Sequence, residues 1–500
     1  MSRTGGSRNR MIAIYATGQF GWSLASYGVL NLLAYFYMPL QEAGVDGAAS
    51  TRLFPAFLFQ GSVLAGLTVI GLIGFGGRIF DAITDPMVAH WSDGSKSRFG
   101  RRRVFLLMAA LPFAFFSAAV FFPPFGPAFA ANTGWLLVCI TLFYFFMTLY
   151  VVPYNALIAE LGQTARERLH LATAISVTWA LGFASGAQIY VLQDVFEGQG
   201  MDSLAAFQRS LLLFSGIAAA AMLVPALFLD EHRYTKRSEG SQAGQAEGLA
   251  MGQAVGQAEG SAGTPPLATQ GVGAGPTSNG HSGNVRAAFR QVWSNRNFRW
   301  FALSDFLYWL ALTFIQMGVA YYVVALMGRD KSYASAFMLL VFVLSFVCYV
   351  PVNLAAQRWG KRNVLLGAFL CFGGAFALTA SLQTGSAFSG VAILLLQGMA
   401  AVALAAFGIL PNAIVGDLAD THSQRAGESL AGMYFAVRTL IMKLGTSAAM
   451  LIFPTFLLWE TGGIRASALA ALIFCLAGFL AFRQYKETAD GEAVNLKGRS

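Results

Sequence analysis

The chain has 500 residues, of which 56% are hydrophobic and only 11% are charged, and its formal net charge is +9. Soluble domains carry about 25% charged residues, so this composition excludes a soluble globular protein and predicts an integral membrane protein. About twelve apolar runs lie near the roughly 20 residues that a spanning helix needs, and they predict an all-α membrane protein.

The basic residues lie in alternate loops. Clusters occur at the N-terminus, at Lys96 to Arg103, at Arg358 to Arg362 and after Arg483, whereas the intervening loops carry few. The positive-inside rule then predicts a multi-pass protein of the cell (inner) membrane with both termini in the cytoplasm. Orientation accounts for the net charge, so we expect the lipid bilayer and no nucleic acid as a partner.

The first half of the chain contains six predicted spans. The basic start is followed by a long apolar run without a small-residue cleavage site, which indicates a first span and not a signal peptide. The spans are Met11 to Leu40, Pro55 to Trp91, Val104 to Phe122, Trp135 to Leu161, Leu171 to Asp194 and Phe207 to Leu229. They define an N-terminal bundle over residues 1–232.

The second predicted span contains the segment GRIFDAITDP, which places three charges in an apolar stretch. Arg78, Asp81 and Asp85 are spaced by three and four residues, so they share one stripe of a helix. A carboxylate at mid-membrane costs roughly 2.5–3.5 kcal/mol on insertion scales. One guanidinium neutralises only one of the two, so the stripe predicts a site one positive charge short, suited to a small cation or a proton.

A charged cluster follows this span in the sequence WSDGSKSRFGRRR. Asp93 lies beside five basic residues, among them Arg101 and Arg102. We interpret Arg78, Asp93, Arg101 and Arg102 as gating or structural charges, with a latch at the helix end that alternately forms and breaks. An orientation signal alone is the other interpretation of the basic cluster.

A change of composition divides the chain. Residues 238–282 are rich in Gly, Gln, Ala and Ser, so they cannot bury enough apolar surface to fold, and we predict a largely disordered cytoplasmic linker over 233–297. Six more spans follow, within a C-terminal bundle over 298–483 and before a cytoplasmic tail over 484–500. They are Phe298 to Leu326, Ala334 to Ala356, Val364 to Leu382, Val391 to Leu418, Leu430 to Trp459 and Ala466 to Phe482.

The second half repeats motifs of the first. GRRRVFLL at Gly100 is echoed by GKRNVLLG at Gly360, and PYNALIAEL at Pro153 is echoed by PNAIVGDL at Pro411. Offsets near 260 residues predict duplicated bundles with a shared cavity between them, as in carriers that work by rocking.

Together these motifs resemble the glycoside-pentoside-hexuronide:cation symporter family of the major facilitator superfamily, the group of the melibiose carrier. GRIFDAITDP with SDGSKSRFGRRR is similar to the helix II signature, PYNALIAEL with RERL to the helix IV–V signature, and AGESLAGMYFAVRTLIMKLG to helix XI. The resemblance implies twelve helices, alternating access and uptake coupled to a cation. It maps the cation-binding oxygens onto Asp81, Thr84, Asp85 and Thr148.

The implied substrate site departs from the sugar carriers of that family. Val151 replaces an acidic residue of helix IV, Asn155 an aromatic one, Ser23 a helix I acid and Ile175 a helix V arginine, and of the set only the helix XI lysine, Lys443, remains. Loss of the carboxylate and the arginine removes the charge-assisted bonds that grip sugar hydroxyls. We expect the cavity to be lined by Gln19, Trp22, Asn155, Gln188, Tyr308, Gln316, Arg438 and Lys443.

These observations predict a symporter of a small organic solute, a sugar or a sugar-acid-like compound. We expect H⁺ or Na⁺ as the coupling ion, with a preference for H⁺, no cofactor, no metal beyond Na⁺, and a monomer. If Arg438 or Lys443 points at the substrate, an anionic solute is favoured. Cys and His residues show no metal-ligand spacing and no nucleophile–base arrangement is found, so an enzyme is not expected.

Three alternatives remain open at this point. Arg78 and Lys443 together could neutralise both aspartates in a resting scaffold. The apolar replacements Val151 and Ile175 favour a carrier of amphipathic, lysolipid-like molecules. The third alternative is a membrane scaffold or sensor that transports nothing.

Overall fold

The computed structural model describes residues 3–39, 41–42, 51–162, 165–229, 285–382, 389–426 and 430–487. In the first half, α1 (Arg3–Tyr27) continues through a π-helical turn (Gly28–Leu32) into α2 (Leu33–Tyr37). The next helices are α3 (Val69–Gly94), α4 (Arg103–Ala119), α5 (Phe129–Leu161), α6 (Ala165–Gly186), α7 (Ile189–Gly198) and α8 (Ser203–Phe228). Antiparallel strands pair β1 (Gln41–Glu42) with β2 (Thr51–Arg52) and β3 (Ser62–Leu64) with β4 (Leu67–Thr68).

The described residues of the second half form helices joined by short turns. Its helices are α9 (Val285–Ser294), α10 (Arg296–Tyr321) with a π-helical turn (Tyr322–Leu326), α11 (Ser332–Trp359), α12 (Lys361–Ser381), α13 (Ser389–Ala426), α14 (Ala431–Phe456) with a 3₁₀ turn (Leu457–Trp459), and α15 (Glu460–Arg483). Helix α9 lies inside the linker 233–297, which the sequence predicts to be largely disordered, so the last part of that linker is helical. Residues 230–284 lie outside the described residues.

Twelve spans follow from these helices. By length and composition, eight helical stretches of the described chain could cross a membrane, and one of them, Ala431–Arg483, comprises both α14 and α15. Helix α4 is apolar but has 17 residues. The continuous helix α1–α2 has more polar residues than a typical membrane span, and α3 carries the charges of Arg78, Asp81 and Asp85. Hydropathy alone therefore does not identify these two helices as membrane spans. The all-α fold with two six-helix bundles is confirmed.

Two predicted spans differ most from the helices in the structure. The second span was predicted from Pro55, but the helix starts at Val69, because Ala65 and Gly66 adopt positive φ angles (50° and 85°) in the turn between β3 and β4. Positive φ is accessible to glycine without steric cost. The fifth span was predicted as one helix, but it breaks after Gly186 and resumes at Ile189.

Helix packing within each half builds the bundle, and several helix pairs join the halves. Helix α1 packs on α6 and α8, and α10 packs on α14 and α15, while across the interface α3 packs on α14 and α7 on α11. Gly71 permits the first of these contacts, since a Cβ there would lie 2.6 Å from the carbonyl oxygen of Leu451. The interface therefore brings the charged stripe of α3 against α14.

One end of the interface is closed by polar bonds and aromatic rings. Lys331 Nζ lies 2.7 Å from Glu197 Oε1 across the interface, and the hydroxyl of Tyr321 donates to the carbonyl of Met38 (2.7 Å). The Tyr35 ring packs edge-on against the rings of Tyr190 and Tyr321. At the opposite end, the ion pairs found among the described residues each join groups of the same half.

Those pairs reproduce the sequence repeat. Arg101 pairs with Glu160 at 2.5 Å in the first half, and Lys361 pairs with Asp417 at 2.6 Å in the second. Arg101 and Lys361 hold the same place in the GRRRV and GKRNV motifs, and the two acids lie near the ends of the repeated proline motifs. The duplicated sequences therefore form equivalent ion pairs, each within one bundle.

Candidate functional site

The α3 stripe is positioned by a well-defined helix start and a close neighbour. The Thr68 hydroxyl caps α3 by accepting from the Gly71 N–H (3.2 Å). Gly77 lets α5 approach, because a Cβ there would lie 2.6 Å from Ile140 and 2.7 Å from the Tyr144 ring. Polar groups of α5 can therefore reach the α3 carboxylates.

Asp81 is almost completely enclosed, with a side chain 1% exposed, and both of its oxygens are bonded. Thr148 of α5 donates to Oδ1 at 2.7 Å, while Oδ2 lies 3.1 Å from Arg78 Nη1. Thr84 stands beside Thr148, with 3.4 Å between the hydroxyl oxygens, and donates to backbone carbonyls of its own helix. The structure thus brings all four predicted cation-binding residues to one place on α3 and α5.

Lys443 completes this cluster from the other half of the protein. Its Nζ lies 2.8 Å from Asp81 Oδ2, 2.6 Å from Asp85 Oδ2 and 3.5 Å from the Asp81 carbonyl oxygen. Two cations therefore face two carboxylates. The inference of a stripe one positive charge short was wrong for this state, because it counted only the charges on α3, whereas α14 contributes the second cation.

The two carboxylates differ in access to solvent. The Asp85 side chain is 30% exposed, whereas that of Asp81 is 1% exposed. An ion or proton entering the cluster therefore meets Asp85 first. The oxygens around Lys443 Nζ are of the type that binds hard cations, and the ammonium occupies the position such a cation would take.

No group of three or more His, Cys, Asp or Glu side chains that could hold a metal ion is found among the described residues. Any cation site at the α3 cluster would thus combine two carboxylates with hydroxyl and carbonyl oxygens. That ligand set suits a monovalent ion better than a multivalent metal, because two carboxylates leave little excess negative charge once Arg78 is counted.

A second buried ion pair lies nearby, and the sequence analysis missed its acid. Asp305 of α10 has a side chain 2% exposed and lies 3.2 Å from Arg438 Nε through Oδ2. Arg438 also donates to Asn412 Oδ1 on α13 at 2.5 Å. The sequence could have identified Asp305, because an ionisable residue within a membrane span usually has a functional role.

The remaining predicted substrate residues are scattered. Tyr308 is one turn from Asp305 and stacks on the Phe407 ring at 3.8 Å between centroids. Gln19 is buried and Trp22 half-buried, and among the described residues neither Gln19 Oε1 nor Trp22 Nε1 has a hydrogen-bond partner. Asn155 is exposed, and Gln188 donates to the Ala184 carbonyl (3.2 Å) of its own chain segment.

Gln316 is half-buried on α10. Within the described residues, the structure shows no hydrogen bond that links Gln19, Trp22, Asn155, Gln188 or Gln316 to either ion-pair cluster. The eight predicted residues therefore do not form one continuous set of bonded side chains.

A large cavity lies at the closed end and not at these residues. Its volume is about 1050 Å³ and it lies between the halves. Its lining includes Tyr35, Asp194, Glu197, Tyr321, Lys331 and Glu460. None of the predicted substrate residues lines it.

The predicted latch is an ion-pair network within the first half. Arg102 Nη2 lies 2.6 Å from Asp93 Oδ1 and its Nε lies 2.9 Å from Glu160 Oε1, the oxygen that also pairs with Arg101. Glu160 is the member that the sequence analysis did not name, although it lies in the PYNALIAEL motif. The network ties the ends of α3, α4 and α5 together.

Comparison with known sequences decides the family. The sequence profile described as "MFS/sugar transport protein" matches residues 14–259 and 274–476, which is most of the chain. The chain belongs to this family. The predicted relationship to glycoside-pentoside-hexuronide:cation symporters of the major facilitator superfamily is confirmed, and the family is one of transporters and not of enzymes.

Individual relatives of this MFS/sugar transport family member are distant. Escherichia coli (strain K12) YagG, provisionally assigned as a glycoside/cation symporter, is 26% identical over 225 residues, which cover 44% of this chain and 43% of YagG. An uncharacterised symporter of Synechocystis sp. is 32% identical over 162 residues, 31% of this chain and 26% of the relative. The alignments thus span less than half the length of either relative.

Solved structures support the same fold. The crystal structure of the nucleoside transporter NupG superposes with a TM-score of 0.62 at 13% identity and covers 96% of this chain and 100% of NupG. At this identity the likeness concerns the arrangement of helices alone.

Proposed function

We propose that this MFS/sugar transport family member is a symporter that couples movement of a small organic solute to a cation by alternating access. The observation that supports this most directly is Lys443 bridging from α14 to Asp81 and Asp85 on α3. A lysine held between two carboxylates is a displaceable cation that joins the two halves of the protein. A proton or Na⁺ that takes its place would keep the charge of the site balanced and would release the contact between the halves.

This arrangement provides a route for coupling. Cation binding at Asp85 frees the ammonium of Lys443, which then presents three N–H donors to a solute hydroxyl or carboxylate. The solute in turn holds Lys443 away from the aspartates, so each ligand favours the other, as reciprocal linkage requires. Of the two ions we favour H⁺, because helix IV has Val151 where sugar carriers of the resembled family supply a further oxygen.

The solute class follows from the charges. Both predicted cationic contacts are paired with acids of the protein, Arg438 with Asp305 and Lys443 with the α3 aspartates. The two clusters are neutral as whole units, which favours a hydroxyl-rich solute such as a sugar. A sugar acid remains compatible, because a freed Lys443 would match its carboxylate. The family description and the assignment of YagG support this class.

We further propose that the protein is a monomer in the cell membrane with both termini in the cytoplasm. In this orientation the closed end, with Lys331 and Glu197, faces outward, and the end carrying Arg101 and Arg102 faces the cytoplasm. The state described is then inward-facing. Cysteines introduced at Ser97 and Lys331 of the whole protein should be labelled by an impermeant reagent from opposite sides of the membrane, and labelling from one side would refute this orientation.

Transport is tested in proteoliposomes with labelled glycosides, pentoses and hexuronates. Uptake of at least one solute should rise with an inward H⁺ or Na⁺ gradient and stop when the gradient is collapsed. Asp85→Asn should lose gradient-driven accumulation, while Asp202→Asn, a conservative change at the N-cap of α8, should keep it. Full accumulation by Asp85→Asn, or uptake indifferent to both gradients, would refute the proposal.

A further inference from the structure

A groove on the outside of the second bundle has the features of a lipid site. It lies among α9, α10 and α14 and has a volume of about 530 Å³. Its walls are formed by Trp293, Arg296, Arg299, Trp300, Leu303 and Phe306 on one side and Ile441 and Leu444 on the other. The groove is separate from both ion-pair clusters and from the cavity at the closed end.

The cationic end of the groove is made by two arginines. Arg296 and Arg299 are both exposed and are three residues apart, so they share one stripe of α10. Among the described residues neither guanidinium has an ion-pair partner. The acid on the same helix, Asp305, is buried and engaged by Arg438. Two positive charges are thus available at the mouth of the groove.

The rest of the groove is apolar. Leu303 follows Arg299 by one turn and is 45% exposed, and Leu444 on the facing wall is 38% exposed. From Arg299 to Phe306 the α10 wall runs about 10 Å, at 1.5 Å per residue. The groove therefore has a charged mouth and an apolar channel long enough for the first half of an acyl chain.

Helix α9 indicates that the mouth lies at the level of lipid headgroups. Phe289 and Trp293 are 40% and 43% exposed and stack on each other, whereas Val292 is fully buried against the bundle. Exposed aromatic residues beside arginines are typical of the membrane–water interface. A soluble anion would find the charges but leave the apolar channel unfilled, and a neutral lipid would leave the two arginines unpaired.

We propose that this groove binds an anionic phospholipid, with the phosphate and headgroup at Arg296 and Arg299 and an acyl chain along Leu303, Phe306 and Leu444. The site does not depend on the proposed transport activity. It does touch the transport machinery, since Ile441 and Leu444 flank Lys443 on α14.

Native mass spectrometry of the purified whole protein, titrated with palmitoyl-oleoyl phosphatidylglycerol or phosphatidylcholine, tests this site. Each arginine near the headgroup adds about 1 kcal/mol of attraction to an anionic lipid, so Arg296→Gln/Arg299→Gln should bind phosphatidylglycerol about thirtyfold more weakly. The matched control, Arg358→Gln/Arg483→Gln, removes two exposed arginines from other helices at the same end of the bundle and should bind as the wild type does.

A third variant examines the channel without changing charge. Leu303→Trp fills the apolar part of the groove and should also weaken the binding of phosphatidylglycerol. The binding of phosphatidylcholine should be the same in the wild type and in every variant. If the groove and control double variants lose phosphatidylglycerol binding equally, the loss comes from overall surface charge, and the proposal is overturned. Unchanged binding in Arg296→Gln/Arg299→Gln, or in Leu303→Trp, would overturn it as well.

Discussion

Replacing Lys443 with methionine tests the charge balance on which the proposed transport mechanism depends. The ammonium lies 2.8 Å and 2.6 Å from the two aspartate oxygens. At an effective dielectric constant of ~20, each attraction is worth about 6 kcal/mol, most of which offsets desolvation of the charges. Removing one partner of a buried pair costs ~3–5 kcal/mol, and because Asp85 is 30% exposed we expect about 3 kcal/mol.

The destabilised Lys443→Met protein should recover when another cation enters the cluster. A ligand at one hundred times its Kd adds about 2.7 kcal/mol of stability. Thermal unfolding in detergent should therefore show a large stabilisation of Lys443→Met by Na⁺ or by lowered pH, and a smaller one of the wild type. Choline chloride at equal ionic strength separates ion binding from screening.

Two further variants serve as controls for the unfolding measurement on Lys443→Met. Lys361→Met breaks the Lys361–Asp417 pair, whose side chains are 35% and 36% exposed, and should cost ~0–1 kcal/mol without any dependence on Na⁺. Lys443→Met/Asp85→Asn restores neutrality and should regain most of the lost stability. A Lys443→Met protein that is as stable as the wild type and indifferent to Na⁺ and pH would show that Lys443 does not balance the charge of the two aspartates.

Three other variants follow from the structure. Lys331→Gln removes the ion pairs that close one end, so alkylation of a cysteine introduced at Ala325, which lines the cavity there, should accelerate several-fold. An unchanged rate would show that the aromatic rings close this end unaided. Gly71→Ala places a Cβ against the α14 backbone and should destabilise the protein by ~1–3 kcal/mol, whereas Gly76→Ala, with open space around it, should be neutral or stabilising; equal melting temperatures would contradict this contact. Asp305→Asn leaves the Arg438 guanidinium without its carboxylate and should cost ~3–5 kcal/mol, and a melting temperature within error of the wild type would show that the pair contributes no stability.

The sequence predicts the helices well, because apolar runs of spanning length are explicit in it. It predicts their ends less well. The chain from Pro55 to Thr68 is apolar enough to extend a span, but it forms two short strands joined by a turn at Gly66. Hydropathy does not predict this turn, because the turn depends on the backbone φ angle. The break after Gly186 is missed for the same reason, since both sides of it are apolar.

In the site, too, the sequence predicts what lies on one helix but not which residues another helix brings to it. Helical spacing alone places Asp81 and Asp85 on one stripe, and this arrangement is present. The number of positive charges near them is a property of the packed bundle, because Lys443 is 358 residues from Asp85 along the chain. Asp305 could have been found by the rule applied to Asp81, whereas its pairing with Arg438 requires the fold.

Helix α14 carries both Lys443 and Arg438 and is held by close glycine contacts on two sides. Gly71 of α3 meets its Leu451 carbonyl, and its own Gly445 would bring a Cβ within 2.8 Å of the Phe306 carbonyl on α10. A rigid displacement of α14 that withdraws the lysine from α3 must also strain the arginine's bond to α10. If the proposed ion binds at Asp81 and Asp85, its presence is therefore expected to affect the Arg438–Asp305 pair through the movement of α14 as one rigid helix.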